Sequence, residues 1–458
     1  MDDPADIWTI DGSLNTLSDR PGMDSQKTNS YGIKVFHSFD GFEFQSFTSS
    51  TDTDVVFSYD ADWGNTDSHF PYVYDYFSET LRDRRSFNQE FRIVSDPADF
   101  LQDSFIEWVV GANYLELKES NFKKDDGVYG DPTDPFGPYA SASSSFSQYK
   151  SSNISVFGNL DYLLSASLKF SIGLRVEDWE ANYSDSLKES FNPSDMMSGG
   201  KISLIKNMTN DTNMYASLAK GYKQGGFNLG LGLDANLTNK NLAYDPEFLT
   251  NYELGINTKL LGSKVTFNGV LFYSDREDQQ VLISTQTDPG DPNTFSSLTQ
   301  NAAEGVNQGL EINMDMDINE SLSAFFNLGI LNTKIKNWES RQDLEGRAQA
   351  HAPERSYALG FNWTPTSHTY LAIDFTGKSN FYYSDSHNNK SKSYVLTNLN
   401  LGYVKNNWNY ELWARNIFDE YYSVRGFYFG NEAPNFIDTL YERHGDPRHI
   451  GLTIRYDF

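Results

Sequence analysis

The sequence predicts an all-β fold: a transmembrane, antiparallel, up-and-down β-barrel of about 18 strands. Apolar and polar residues alternate with a period of two through most of the 458 residues, and a helical period is hard to find. Short turns alternate with long polar segments, as in barrels that cross an outer membrane. The last nine residues alternate without a break and end on an aromatic residue.

The composition excludes several other classes of protein. Asp and Glu (63) outnumber Lys and Arg (36), and the formal net charge of −27 argues against a nucleic-acid partner. Cys is absent, so disulfides and thiolate metal sites are excluded. The chain is 15% aromatic, too much for a disordered protein, and no apolar run approaches the roughly 20 residues of a spanning helix. Residues 1–11 lack the positive and apolar parts of a signal peptide, so we expect none.

The strands are predicted from segments with one apolar and one polar face. The clearest is 310–318, in which Glu311 and Asn313 separate apolar residues of a single face. Six further segments read alike: 154–162, 168–176, 252–260, 265–273, 395–403 and 408–415.

Every second connection is predicted to be short. The short turns are expected near Asp40–Gly41, Asp96–Ser104, Leu163–Ser165, Asn207–Asp211, Leu261–Ser263, Asn319–Ser321, Thr364–His368 and Lys405–Asn407. The long polar segments between them are 60–86, 119–149, 185–197, 223–248, 284–305, 336–354, 379–393 and 417–447. A soluble β-sandwich also has alternating strands, but it does not predict this parity of connections, whereas a membrane barrel does.

The C-terminal strand has the apolar face of an outer-membrane assembly signal. That face consists of Ile450, Leu452, Ile454, Tyr456 and Phe458. It looks like the terminal strand of bacterial outer-membrane proteins, which the barrel-assembly machinery recognises. If Phe458 is periplasmic, the hairpin parity places every short turn in the periplasm and every long loop outside.

Several motifs resemble one family. Residues 414–422 carry an N-hydrophobic-F-D-x-x-Y motif, and a P-R-x-x-G motif follows within 445–452. Residues 221–228, Gly-Tyr-Lys-Gln-Gly-Gly-Phe-Asn, and Asn251–Gly255 are further markers. Over nearly its whole length, 1–458, the chain resembles the barrel of TonB-dependent outer-membrane receptors.

The resemblance implies a receptor in the bacterial outer membrane, surrounded by lipid and lipopolysaccharide, that imports a scarce chelate. A ferric siderophore is the first expectation, with energy from the TonB–ExbB–ExbD system. The family has a barrel of about 22 strands, an N-terminal plug and a TonB box. Nothing at the N-terminus of this chain resembles the plug. We therefore expect an incomplete receptor, a fragment or a truncated gene product, whose first and last strands are unpaired edges.

Other functions stay open at this stage. A passive porin-like channel or a purely structural barrel is the alternative, and receptors for haem, cobalamin and oligosaccharide share the same barrel. No H-E-x-x-H and no G-x-S-x-G motif occurs, so we expect neither an enzyme, a cofactor nor a metal site.

Aromatic residues crowd the predicted external loops. Much of this enrichment is expected from the girdle of Tyr and Trp at membrane interfaces. The remainder is suited to catching a planar or anionic chelate, together with Arg. The candidate ligand contacts, expected at or above the outer rim, are Tyr222, Lys223, Phe227, Arg425 and Tyr428.

Overall fold

The computed structural model describes residues 8–9, 17–95, 106–186, 190–228, 243–286, 295–338, 341–430, 435 and 437–458. One large antiparallel sheet of barrel topology dominates these residues, and each of its strands pairs with the next one along the chain. The predicted all-β, up-and-down fold is confirmed.

Seventeen long strands form this sheet. They are β1 (Met23–Phe39), β2 (Phe42–Asp60), β3 (Val73–Ser95), β4 (Ile106–Gly130), β5 (Tyr139–Ser165), β6 (Leu168–Asp185), β7 (Ser194–Asn207), β8 (Thr212–Lys223), β9 (Glu247–Leu260), β10 (Val265–Gln286), β11 (Phe295–Asn319), β12 (Leu322–Asn337), β13 (Arg355–Thr366), β14 (Thr369–Lys378), β15 (Tyr394–Lys405), β16 (Trp408–Arg415) and β17 (His449–Tyr456). The two-residue strand Ser190–Phe191 pairs with the end of β6, which brings the segments to the predicted number of about 18.

Smaller elements lie in the long connections. Ser423–Phe429, Thr439–His444 and Trp8–Thr9 form a three-stranded sheet of their own. Gly226–Phe227 pairs with Ala243–Tyr244. Gln342–Leu344 is one turn of 3-10 helix. No helix among the described residues is long and apolar enough to cross a membrane.

The two faces of the wall are inverted relative to a soluble protein. On β5, Ile154 and Val156 are 59% and 63% exposed, whereas the intervening Ser155 is 2% exposed. The apolar face forms belts across neighbouring strands: Leu254 pairs with Leu271, Leu271 with Leu310, and Leu310 with Ile330. An outward apolar face over an inward polar face is the pattern of a transmembrane barrel.

The short turns follow local backbone chemistry. At the first turn, Asp40 and Gly41 join β1 to β2, and Gly41 has φ 82°, which glycine adopts without a steric penalty. The other predicted turns coincide with observed ones to within two or three residues, except that Asp96–Ser104 lies outside the described residues.

Several of the long segments predicted to be loops consist largely of strand. Most of 60–86 and 119–149 is strand, because β3 begins at Val73 and the β4–β5 ladder continues to the Tyr129–Tyr139 pair. In the Ser-rich residues 141–147 both faces of the strand carry serine, so the apolar period that identifies a strand is missing there. Strands of 25 and 27 residues far exceed the roughly 9–11 needed to cross a membrane.

The first and last strands remain unpaired on one side. Among the described residues, β1 is hydrogen-bonded to β2 alone and β17 to β16 alone. Every residue of β1 is exposed, on both faces. The sheet curls as a barrel, but no described ladder joins β1 to β17, as expected from the sequence.

Candidate functional site

A cavity of about 240 Å³ lies at the long-loop end of the sheet, where four chain segments converge. Its wall is formed by residues 279–282 of β10, 350–351 before β13, 383–387 before β15, and 425–428 after β16. Gln279 and Gln280 are both buried, although consecutive residues of a regular strand face opposite sides. The β10–β11 register shifts at these residues, and this bulge places both side chains on one side.

A buried ion pair fixes two of the converging loops. Arg347 Nη2 lies 2.8 Å from Asp385 Oδ1, and the two side chains are only 8% and 11% exposed. The same guanidinium donates to the carbonyl oxygens of Ser384 at 3.1 Å and His387 at 2.9 Å. Loss of either charged partner would leave the other buried and uncompensated, so this pair holds the cavity wall rigidly.

Arg425 supplies the positive charge at the cavity. Its guanidinium carbon lies 4.8 Å from the centre of the Phe427 ring. Partial burial and the charge of Arg443 lower the pKa of Arg425, which stays protonated at neutral pH. Burial and the charge of Arg425 lower the pKa of His351, and burial lowers that of His387. Both imidazoles are therefore neutral at pH 7.

Three polar atoms of the cavity residues are buried without a hydrogen-bond partner among the described residues. They are Gln279 Oε1, Gln280 Oε1 and His387 Nε2. Buried polar atoms are normally satisfied, so such a group marks a place where water or a ligand completes the bonding. The described residues contain no group of three or more His, Asp or Glu side chains that could hold a metal ion.

Comparison with known proteins identifies the fold. The profile of the family described as "TonB dependent receptor-like, beta-barrel" matches residues 3–417. The chain belongs to this family. Its inverted faces and its alternation of short turns and long loops are those of the TonB-dependent receptor barrel.

Three proteins illustrate the relationship. The pesticin receptor of Yersinia pestis is 23% identical over 269 residues, which are 57% of this chain and 36% of that protein. The ferric yersiniabactin uptake receptor FyuA from Yersinia pestis superposes with a TM-score of 0.73 at 17% identity, covering 94% of this chain and 61% of that one. The siderophore receptor PiuA from Acinetobacter baumannii gives 0.71 at 16% identity, covering 100% and 70%. The match spans about a third of the length of the pesticin receptor.

The motif that carried the family resemblance is a structural clamp. Asn416 has φ 46°, and its amide donates to the carbonyl oxygens of Glu420 at 2.9 Å and Asp446 at 3.1 Å. Asp419 Oδ1 accepts the backbone N–H of Arg448 at 2.8 Å. These contacts join the exit of β16 to the entry of β17, which explains why the two halves of the motif occur together.

Of the five predicted ligand contacts in this TonB-dependent barrel, two lie together. Arg425 and Tyr428 line the cavity. Tyr222 instead accepts a hydrogen bond from Arg175 at 3.1 Å, and its hydroxyl lies 3.2 Å from Glu177. Lys223 is the exposed last residue of β8, and Phe227 is 7% exposed within an aromatic cluster. Tyr222, Lys223 and Phe227 therefore do not line the cavity, although the carbonyl oxygen of Gln224 in the same motif contacts its wall through Gln280.

The remaining cavity residues were not found from the sequence. Gln279, Gln280, His351 and His387 belong to segments separated by long stretches of chain, and none has a recognisable motif. Only the contacts between loops bring them together.

The C-terminal strand has the predicted outward face. Ile450, Leu452, Ile454 and Tyr456 are exposed on the apolar side of β17, and Phe458 is fully exposed. Their role as an assembly signal stays a prediction.

Proposed function

We propose that the chain forms the barrel wall and external loops of an outer-membrane receptor that imports a ferric siderophore with energy from TonB. The observation that carries this proposal is the cavity at the long-loop end. It combines Arg425, neutral imidazoles and aromatic rings in a receptor-family barrel. A guanidinium beside aromatic rings suits an anionic, aromatic or chelating ligand.

The named relatives support iron as the cargo. FyuA is a ferric yersiniabactin uptake receptor, and PiuA is a siderophore receptor. Both are less than 25% identical to this chain, so they support the fold directly and the ligand only by analogy.

The proposal assigns a separate partner to each surface. The apolar belts contact outer-membrane lipid, with lipopolysaccharide around the outer rim. The strand ending at Phe458 engages the barrel-assembly machinery. Coupling to the TonB–ExbB–ExbD system belongs to the whole receptor.

Uptake measurements test the function. Cells with and without the gene, each with TonB intact or deleted, are given a panel of ⁵⁵Fe-labelled siderophores. We expect uptake of at least one siderophore that requires both the gene and TonB. Uptake that needs the gene but not TonB would indicate a passive porin-like channel. Equal uptake in all four backgrounds would remove ferric siderophores and leave haem, cobalamin or oligosaccharide.

A further inference from the structure

Two arginines face each other in the external sheet beside the cavity. Arg425 on Ser423–Phe429 is directly opposite Arg443 on Thr439–His444 in an antiparallel ladder. Like charges in this position repel, and an evolved sheet normally avoids them. Partial burial has the larger effect on the pKa of Arg425, and the charge of Arg443 lowers it further. This lowering is the effect expected of repulsion between two like charges.

Neither guanidinium is neutralised by a carboxylate among the described residues. Three other arginines at this end of the sheet have carboxylate partners: Arg20 with Asp75 and Asp126, Arg341 with Asp343, and Arg347 with Asp385. Carboxylates are plentiful in a chain of net charge −27. Two adjacent arginines without a carboxylate partner among the described residues leave positive charge available for an anion from outside the protein.

The hydrogen-bonding direction of His387 is fixed. Its Nδ1 accepts the backbone N–H of Asn389 at 3.2 Å. In a neutral imidazole the proton must then be on Nε2, which makes that nitrogen a donor. Nε2 is buried and has no partner within hydrogen-bond geometry, although the nearby Gly426 carbonyl acts to raise the pKa of the ring. The cavity wall thus has an unused donor as well as a cation.

The orientation of Gln280 is fixed in the opposite sense. Its Nε2 donates to the carbonyl oxygens of Gln224 at 2.8 Å and Asp245 at 3.0 Å, which only an NH₂ group can serve. The amide oxygen is therefore the buried atom without a partner. This oxygen can only accept a hydrogen bond.

From this arrangement we propose that the cavity binds a hydroxycarboxylate group. The carboxylate is held by Arg425, supported by Arg443, and by His387 Nε2–H, while the hydroxyl donates to Gln280 Oε1. A cavity of about 240 Å³ is smaller than the roughly 300–1,000 Å³ of a complete ligand site, so it accepts one arm of a larger molecule. The assignment of that arm to the imported chelate rests on the proposed function; the anion site itself does not.

Binding to the purified chain in detergent tests the site. The probes are citrate and tricarballylate, which has the same three carboxylates without the hydroxyl, and affinity is measured by calorimetry. We expect citrate to bind more tightly than tricarballylate. Arg425→Gln should weaken both probes by about tenfold or more, because it removes a charged hydrogen bond. Gln280→Leu should bring citrate affinity to that of tricarballylate and leave tricarballylate unchanged.

A matched control separates this role from a structural one. Arg20→Gln removes an external arginine that already has carboxylate partners, away from the cavity wall, and should leave citrate affinity unchanged. Arg425→Gln should keep or raise the melting temperature, because it relieves repulsion from Arg443. Citrate affinity that is equal in the wild type and Arg425→Gln, or a melting temperature lowered by Arg425→Gln, would overturn the site.

The experiments distinguish a wrong binding site from a wrong proposed function. Citrate binding that follows the expected pattern in a protein without TonB-dependent uptake would retain the anion site and reject ferric siderophore import. Siderophore uptake that Arg425→Gln leaves unchanged would retain the receptor and reject this cavity as its contact.

Discussion

The ring of Phe227 lies nearly parallel to that of Tyr183, with centroids 5.3 Å apart and planes inclined by 20°. Tyr149 and Phe191 complete the enclosure of Phe227 at 5.8 and 6.1 Å. Burial of Trp179 and Met197 in the same cluster makes it a true core, on the inner side of a wall whose outer face is apolar. Phe227, which the sequence motif suggested as a ligand contact, thus anchors the loop that leaves β8.

Removal of this anchor should destabilise the protein strongly. We expect Phe227→Ala to reduce the free energy of unfolding by about 3–5 kcal/mol, because it leaves a cavity among buried rings. Urea unfolding in detergent, followed by tryptophan fluorescence, measures the loss. Phe136→Ala is the control, since Phe136 is 85% exposed, and its effect should stay within about 0.5 kcal/mol. Equal effects of the two variants would contradict the buried cluster.

The inverted faces predict opposite outcomes for adjacent residues. Ile312 lies on the outward face of β11, opposite Leu328, and Asn313 on the inward face, opposite Asn327. Ile312→Arg should cost about 2–4 kcal/mol in lipid vesicles, because it places a charge against hydrocarbon. Asn313→Arg should cost much less, since the inward face is polar. Reversible unfolding in vesicles compares the two, and a larger cost for Asn313→Arg would mean that the faces are assigned the wrong way round.

The clamp at Asn416 can be divided into backbone and side-chain parts. Asn416→Gly keeps the left-handed backbone and loses the amide contacts, whereas Asn416→Ala loses both. We expect losses of about 1–3 kcal/mol for the glycine variant and roughly 1 kcal/mol more for alanine. Thermal unfolding of the detergent-solubilised protein provides the measurement. A glycine variant as stable as the wild type would show that the amide bonds contribute nothing.

Asp60 should give the protein a pH dependence at its external end. This fully buried carboxylate accepts hydrogen bonds from Ser18 Oγ at 2.8 Å and the backbone of Asp19 at 3.1 Å. Burial, and then the charge of Asp62, raises the pKa of Asp60 to about 6. Since the folded state holds this proton more tightly than the unfolded chain, stability should fall as the pH rises from about 4 to about 6.

The neighbouring Asp62 acts in a different window. Although its burial opposes ionisation, hydrogen bonds from His69 and the Tyr76 backbone lower its pKa, so its contribution is lost only below about pH 4. Asp60→Asn should therefore flatten the profile between pH 4 and 7 and stabilise the protein at pH 7 by about 1–3 kcal/mol. Melting temperatures across this range test it, with Asp67→Asn in the same loop as an exposed control. An unchanged slope in Asp60→Asn would exclude Asp60 as the titrating group.

The terminal aromatic residue should matter for assembly and not for the folded state. Phe458 is fully exposed and follows the last ladder pair, Trp408 with Tyr456. We expect Phe458→Ala to reduce the amount of protein in the outer membrane severalfold while its unfolding in detergent stays unchanged. Membrane fractionation and detergent melting give the two measurements. Lower stability in detergent together with a normal amount of protein in the outer membrane would instead give Phe458 a role in the folded state and none in assembly.

The sequence predicted what repeats locally. Ile154 and Ser155 differ in exposure because alternate residues face opposite sides of a strand, and Asp40-Gly41 folds back because glycine permits a positive φ. The Ser-rich end of β5 was missed because water contacts both of its faces and no apolar period results. The meeting of Gln280 with His387 depends on contacts between loops distant in sequence, which no local pattern records.

The length of β10 has an electrostatic consequence for the cavity. Gln280 lies 15 residues beyond Val265, the start of this strand. At roughly 3.3 Å per residue and a tilt of about 40°, that is a height of about 38 Å. The apolar band of such a barrel is about 25 Å tall, which leaves the cavity more than about 10 Å above it. At physiological ionic strength the Debye length is about 8 Å, so the field of anionic headgroups has largely decayed at this height. An arriving anion is then attracted or repelled by the side chains around it, whatever lipids lie below.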